Sequence, residues 1–168
     1  EAIDLPSRIT ADAPLVRHAL VRFQRSTELP PRQTRSFVVD DGVVLALLGR
    51  AAVSERVAEV SDRIGDPGPI LREEKARSLL SELGSSSAEA TGGAAGGFFA
   101  VGLPGSGRRT LAARVAALGG FDGVLAVRVA GLRNGGVTAP DRIGFLSAAV
   151  RDAALLGRGV LFESRTFR

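Results

Sequence analysis

Short alternations of apolar and polar residues mark the first third of the chain. The segments HALVRFQR (His18–Arg25) and TRSFVVD (Thr34–Asp40) are typical of β-strands, and the proline-rich stretch STELPPRQ joins them. Together they predict a hairpin. The next segment, DDGVVLALLGR, predicts a short apolar helix that Asp40 or Asp41 caps and that stops at Gly49.

Two further helices are predicted before residue 84. VSERVAEVSDRIG carries Val57, Val60 and Ile64 at a spacing of three to four residues and ends in glycine. GPILREEKARSLLSELG has Pro69 near its start and an apolar face. That face consists of Ile70, Ala76, Leu79, Leu80 and Leu83. A hairpin beside short helices predicts a small α+β, winged-helix-like module over residues 1–83.

The stretch GSSSAEATGGAAGG (Gly84–Gly97) shows neither the alternation typical of strands nor the apolar spacing typical of helices. Small polar residues and glycines bury too little apolar area to offset the entropy lost when they are ordered. We therefore predict a flexible linker over residues 84–97, which separates the N-terminal module from a second region, residues 98–168.

Strands alternate with helices in this second region. FFAV (Phe98–Val101), GVLAVRVA (Gly123–Ala130) and GVLF (Gly159–Phe162) predict strands. RRTLAARVAALGG predicts a helix after a glycine-rich loop, and a later helix begins at Pro140–Asp141 and ends near Gly157. This alternation predicts an α/β fold with a parallel sheet and right-handed crossovers.

The composition excludes several kinds of site. A chain with no Cys and one His has no disulfide, no thiolate nucleophile, no Cys-based zinc site and no His cluster. No apolar run approaches the roughly 20 residues that a membrane-spanning helix needs, and the start EAIDLPSRIT lacks a signal pattern. We therefore expect a cytoplasmic protein with no membrane partner. The net charge of +4 attracts phosphates nonspecifically and identifies no partner.

The stretch GLPGSGRRTL (Gly102–Leu111) carries the strongest motif. It follows the phosphate-loop pattern G-x-x-x-x-G-K-[ST], and Gly102 and Gly107 stand at the two fixed glycines. Glycines let consecutive backbone N–H groups surround an anion, and the positive end of the following helix adds to their field. We predict nucleotide binding by this loop. The candidate contacts are Gly102, Pro104, Gly105, Ser106, Gly107, Arg108, Arg109 and Thr110.

The side chains of the loop depart from the pattern. Arg108 keeps the charge of the usual lysine, whereas Arg109 stands where Ser or Thr would hold Mg²⁺. Thr110 offers a hydroxyl about 100° further around the helix. In GVLFES, Glu163 is the candidate for the catalytic carboxylate and, with Thr110, for Mg²⁺ binding, while Ser164 cannot act as a general base. These departures predict slow hydrolysis at most.

Each of these residues also has a purely structural interpretation. A glycine-rich loop can begin a helix without a ligand, and a buried strand can end in a charged residue. His18 is more often a surface or hydrogen-bonded histidine than a catalytic one, and Asp40–Asp41 is more often a helix cap than a metal site. The run REEKAR is typical of a solvated helix face with internal ion pairs.

Two motifs together resemble a known family. GLPGSGRRTLAARVA is similar to the first motif of AAA+ ATPases, usually GPPGTGKTTLA. APLVRHALVRF followed by TRSFVVDDGVVLALLGR resembles the segment before the ATPase module in ATPases encoded with bacterial extracellular contractile injection systems, whose loops often read G-x-x-G-x-GRR. The likeness runs from Asp12 to about Glu163. It departs at Gly42, often Arg in that group, and at Ser164, where an acid is usual.

The resemblance implies a P-loop NTPase sheet of AAA+ type, with ATP and Mg²⁺ as cofactors. It implies a hydrolase that assembles or remodels an injection particle, acts on particle components, and forms a homo-oligomeric ring in its full-length form. The AAA+ strand order, 5-1-4-3-2, implies a further strand between FFAV and GVLF. The sheet is then incomplete at its C-terminal end, and we expect the natural protein to continue past Arg168.

Two other classes of protein stay open. A small-molecule P-loop kinase would share the loop, although such enzymes usually carry it near the N-terminus. A winged-helix DNA-binding module with a vestigial loop would use the basic hairpin, although nucleic acid is the less favoured partner. Its DNA contacts would come from Arg22, Arg25, Arg32 and Arg35.

Overall fold

The computed structural model describes residues 13–23, 37–50, 52–89, 97–129 and 139–164. The helices in these ranges are α1 (Pro14–Arg17), α2 (Asp41–Leu47), α3 (Glu55–Ala58), α4 (Glu73–Glu89), α5 (Arg108–Leu118) and α6 (Ala139–Leu155). The strands are β1 (Val21–Phe23), β2 (Phe37–Val39), β3 (Ser61–Ile64), β4 (Val124–Arg128) and β5 (Gly159–Glu163).

The first sheet is the predicted pair of antiparallel strands. Val21 of β1 lies opposite Val39 of β2, and Phe23 lies opposite Phe37. The connection STELPPRQ lies outside the described residues. Asp40 caps α2 as predicted, because its carboxylate accepts a hydrogen bond of 3.2 Å from the N–H of Gly42.

The second sheet has the strand order β3-β4-β5. Strands β4 and β5 run parallel, with Leu125 beside Val160, and α6 connects them along the chain. This confirms the α/β class and the second and third predicted strands of residues 98–168. Strand β3 runs antiparallel to β4, so the sheet is only partly parallel. The AAA+ arrangement and the winged-helix likeness stay predictions.

The predicted helix over VSERVAEVSDRIG is wrong beyond its first turn. Helix α3 ends at Ala58, and Ser61–Ile64 form strand β3 beside β4. Val57 and Val60 still pack in one apolar cluster and Ile64 in a second one. The spacing identified the buried residues correctly, but the pairing with β4, distant in sequence, decides the conformation.

The predicted strand Phe98–Val101 is also wrong. These residues form no regular element, and the side chains of Phe99 and Val101 are fully exposed. A strand needs a hydrogen-bonding neighbour. In the described part of the chain, β5 pairs with β4 alone and no strand lies beside Phe98–Val101.

Helix α4 differs from its prediction at both ends. It begins at Glu73 and runs to Glu89, so the first six residues of the predicted linker are helical. Extending an existing helix by Ser, Ala and Glu costs little once the first turn has formed. The next residues of the linker lie outside the described ranges.

Strand β4 lies between helices on both of its faces. Successive side chains of a strand point to opposite faces. Val124 packs with Ala113 and Ala116 of α5, whereas Leu125 and Val127 pack in the cluster that contains α6. This explains why the run VLAV is apolar at every position: all four residues are buried.

A buried polar network ties α6 to the N-terminal elements. Asp152 accepts hydrogen bonds from the N–H of Ser54 at 2.9 Å and from its hydroxyl at 2.5 Å. Arg151 donates to Asp152, to Asp40 at 2.7 Å and to the carbonyl of Ala19. Residues on either side of the boundary predicted at 83/84 therefore share a sheet and a network. The division into a module over residues 1–83 and a domain over residues 98–168 stays a prediction.

Candidate functional site

The glycine-rich loop leads directly into α5 through two left-handed residues. Gly105 has φ of +80°, and Gly107, the N-cap of α5, has φ of +76°. Other residues pay a steric cost in this conformation, so the loop depends on glycine at both positions. The third glycine, Gly102, lies close to the loop's own side chains: a Cβ there would come within 2.8 Å of Ser106 Oγ.

The start of α5 keeps its backbone donors free of a side-chain cap. Gly107 has no side chain, and its carbonyl accepts the first helical hydrogen bond from the N–H of Leu111 at 2.8 Å. The first N–H groups of a helix have no partner within it and carry the positive end of its dipole. This end of α5 is suited to an anion.

Arg109, on the first turn of α5, brings two carboxylates to the loop. Its Nε lies 2.7 Å from Oε1 of Glu163, at the end of β5. Its Nη2 lies 2.8 Å from Oδ2 of Asp62, in β3. The structure thus brings together two residues that the sequence analysis named separately, Arg109 and Glu163. Asp62 was missed, because that analysis placed it on a helix.

The ion pair between Arg109 and Asp62 stays charged at neutral pH. The hydrogen bond from Arg109 lowers the pKa of Asp62, and the charge of Arg128 acts in the same direction. The same hydrogen bond from Arg109 to Asp62, together with Glu163, raises the pKa of Arg109. The site therefore presents a cationic guanidinium held between two carboxylates.

Arg108 lies next to this cluster and is half-buried. Across the described ranges, no ion pair of Arg108 is found. Thr110 is exposed on the same first turn of the helix. The predicted contacts of these side chains and of Pro104 and Ser106 with a nucleotide stay predictions.

The donor set around Arg109 does not fit Mg²⁺. The position of the metal-binding hydroxyl carries a cationic side chain, and that side chain already contacts Glu163, the candidate metal carboxylate. No three His, Asp or Glu side chains form a metal-ligand group in the residues that the structure describes. Magnesium stays an implication of the resemblance.

The other candidates take structural roles or lie outside the described ranges. Asp41 accepts a hydrogen bond from the N–H of Glu55, and Asp40 caps α2. His18 ends α1. Of the hairpin arginines, Arg22 lies in β1, and the other three are outside the described residues.

No family profile, curated protein or solved structure matches this chain. The likeness to AAA+ ATPases therefore depends on the sequence motifs alone. None of the helices within the described ranges is long and apolar enough to cross a membrane.

Proposed function

We propose that this protein binds a nucleoside triphosphate, ATP by resemblance, through the loop Gly102–Thr110. The observation that supports this most is the 2.7 Å contact between Arg109, on the first turn of α5, and Glu163, at the end of β5. A glycine-rich loop, the start of a helix and an acidic strand end meet at one point, and these are three parts of a phosphate-loop site. The strand that usually precedes such a loop is not formed by Phe98–Val101.

The phosphates would bind to the backbone first. Gly105 and Gly107 turn the chain into α5, whose first N–H groups have no side-chain cap. Arg108 adds a planar guanidinium whose paired N–H groups match two phosphate oxygens. The positive end of the helix and this side chain act on the same anion.

The same residues support binding more than hydrolysis. Phosphoryl transfer to water needs a group that orients the attacking water. Ser164 stands at the position that usually supplies it, and a hydroxyl is a poor base. Glu163 is engaged with Arg109. We propose an AAA+-type ATPase whose turnover is slow. We also propose, on the resemblance alone, that the protein forms a ring and assembles or remodels an injection particle.

Calorimetric titration of the protein with ATP or a slowly hydrolysed analogue tests the proposal. We expect saturable binding, and Arg108→Ala should weaken it by about ten- to hundredfold, because a lost hydrogen bond to a charged group is worth about 1.5–3 kcal/mol. Arg77→Ala is the matched control, since it removes the same charge from an exposed position on α4. It should leave the affinity unchanged.

Two results would count against this assignment. An unchanged affinity in Arg108→Ala would show that the role assigned to this side chain is wrong. The absence of any binding, in a sample whose circular dichroism shows folded protein, would overturn the proposal.

A further inference from the structure

The guanidinium of Arg109 occupies the surroundings that a divalent cation has in a phosphate loop. It contacts Glu163 at 2.7 Å and Asp62 at 2.8 Å, and it belongs to the residue at the position of the metal-binding hydroxyl. We infer that this guanidinium replaces the cation, so that the loop binds a nucleoside triphosphate without a divalent metal ion. The inference rests on the nucleotide-binding function proposed above.

Arg109 has donors left for a phosphate. A guanidinium has five N–H groups on three nitrogens. The contact with Glu163 uses Nε and the contact with Asp62 uses Nη2, so neither involves Nη1. The side chain is 44% exposed, and a ligand at the loop can therefore reach it from solvent. The two carboxylates orient the guanidinium, as hydrogen-bond partners orient the side chains that bind a metal.

The contact with Asp62 also allows the side chain of Arg109 to move. Both side chains are nearly half exposed, at 44% and 47%. Exposed ion pairs contribute little to stability because water screens them. Arg109 can therefore turn toward an incoming phosphate at small cost, while the more buried Glu163, 19% exposed, holds its Nε.

A divalent ion would compete with Arg109 at this place. It would share the carboxylate of Glu163, whose Oε1 the guanidinium contacts, and it would lie within a few ångströms of a permanent positive charge. In an ordinary phosphate loop, by contrast, the neutral hydroxyl joins the metal's ligands. The arginine at this position thus changes which form of the nucleotide binds, the metal complex or the free anion.

The test compares binding of ATP by the whole chain in excess EDTA and in saturating Mg²⁺. We expect the unaltered protein to bind ATP in EDTA at least as tightly as in saturating Mg²⁺, because the free anion is the form that the loop binds. Arg109→Ser restores the hydroxyl and removes the resident cation, so its affinity should depend on Mg²⁺ by about tenfold or more.

Arg114→Ser is the matched control. Arg114 lies about one and a half turns further along α5 and also bridges two carboxylates, those of Glu73 and Asp66. Its replacement should leave the ratio of the two dissociation constants unchanged. Circular dichroism checks that each variant is folded.

The outcomes separate the two proposals. If the unaltered protein binds ATP in Mg²⁺ and loses it in EDTA, the inference is wrong and nucleotide binding stands. If it binds in neither condition, both fail. If Arg109→Ser does not fold, the comparison on the unaltered protein still decides. A ratio that is the same in Arg109→Ser and the unaltered protein would also overturn the role of Arg109.

Discussion

Gly123 is the glycine at which an added methyl group should destabilise the fold most. It precedes β4 with φ of +80°, and a Cβ there would collide with the carbonyl oxygen of Ile64 and lie 2.9 Å from Gly65 Cα. Both obstacles are backbone atoms, which cannot rotate away. We expect Gly123→Ala to lower the free energy of unfolding by about 2–4 kcal/mol, through left-handed strain and displacement of β3.

Gly120→Ala separates these two causes. Gly120 has φ of +86°, and a Cβ there would meet no atom within 4 Å. Gly120→Ala should lower the free energy of unfolding through left-handed strain alone, by about 1 kcal/mol. Urea unfolding of both variants provides the comparison. Equal losses would contradict the close approach of β3 to this turn.

The residues of the candidate site differ in how far the sequence reveals them. Gly102, Gly107 and the two arginines stand in one local motif, and Glu163 stands at a recognisable strand end. Asp62 has no such signal. It reaches Arg109 because β3 pairs with β4, a contact between segments some 60 residues apart whose pairing no local pattern specifies.

At the scale of elements, Arg114 joins α5 to the start of α4. Its guanidinium contacts Glu73 at 2.7 Å and Asp66 at 3.0 Å. The hydrogen bond from Arg114 lowers the pKa of Glu73 from its ordinary value of 4.5. A carboxyl whose pKa is lower in the folded state stabilises the fold fully above its unfolded pKa and loses this effect as the pH falls through the folded one.

We therefore expect the thermal unfolding midpoint to fall as the pH drops below about 4.5, and to fall less in Glu73→Gln, which has no carboxyl to protonate. Scanning calorimetry or circular dichroism from neutral pH to about pH 3 measures this difference. Glu74→Gln is the control, because Glu74 is exposed on the same turn. Parallel pH profiles for all three proteins would refute the role of Glu73.

Most elements with a local signal were predicted correctly, whereas Phe98–Val101 and Ser61–Ile64 were not, because a partner strand distant in sequence decides their conformation. Helices α5 and α6 and strands β4 and β5 follow from apolar runs bounded by glycines and a proline. Phe98–Val101 has an equally apolar run, yet it forms no strand, because a strand is stable only beside another. Ser61–Ile64 is the converse case: a helical spacing becomes a strand because β4 is beside it.

At the scale of the whole molecule, residues before and after position 83 share their interior. Val57 lies in the same apolar cluster as Leu125 and Phe145. Asp152 is fully buried, and two of its hydrogen-bond donors belong to Ser54. A buried carboxylate without its donors is costly, by several kcal/mol for a charged group. The C-terminal part therefore depends on the N-terminal part for its polar partners.

This dependence predicts how fragments behave. Residues 98–168 alone lack β3, Val57 and Ser54, so one edge of β4 is unpaired and Asp152 loses its two donors from Ser54. We expect this fragment to show no cooperative thermal transition. Residues 52–168 restore all of these and lack only the N-terminal elements.

The longer fragment should unfold cooperatively but be less stable than the whole chain by about 1–3 kcal/mol. The reason is that Arg151 keeps its hydrogen bond to Asp152 and loses the one to Asp40. Circular dichroism melts and urea unfolding of the three lengths measure the series. A cooperative transition in residues 98–168 alone would instead favour two independent domains divided at 83/84. The buried network would then join two units that are each stable, and its hydrogen bonds would orient them rather than hold the fold together.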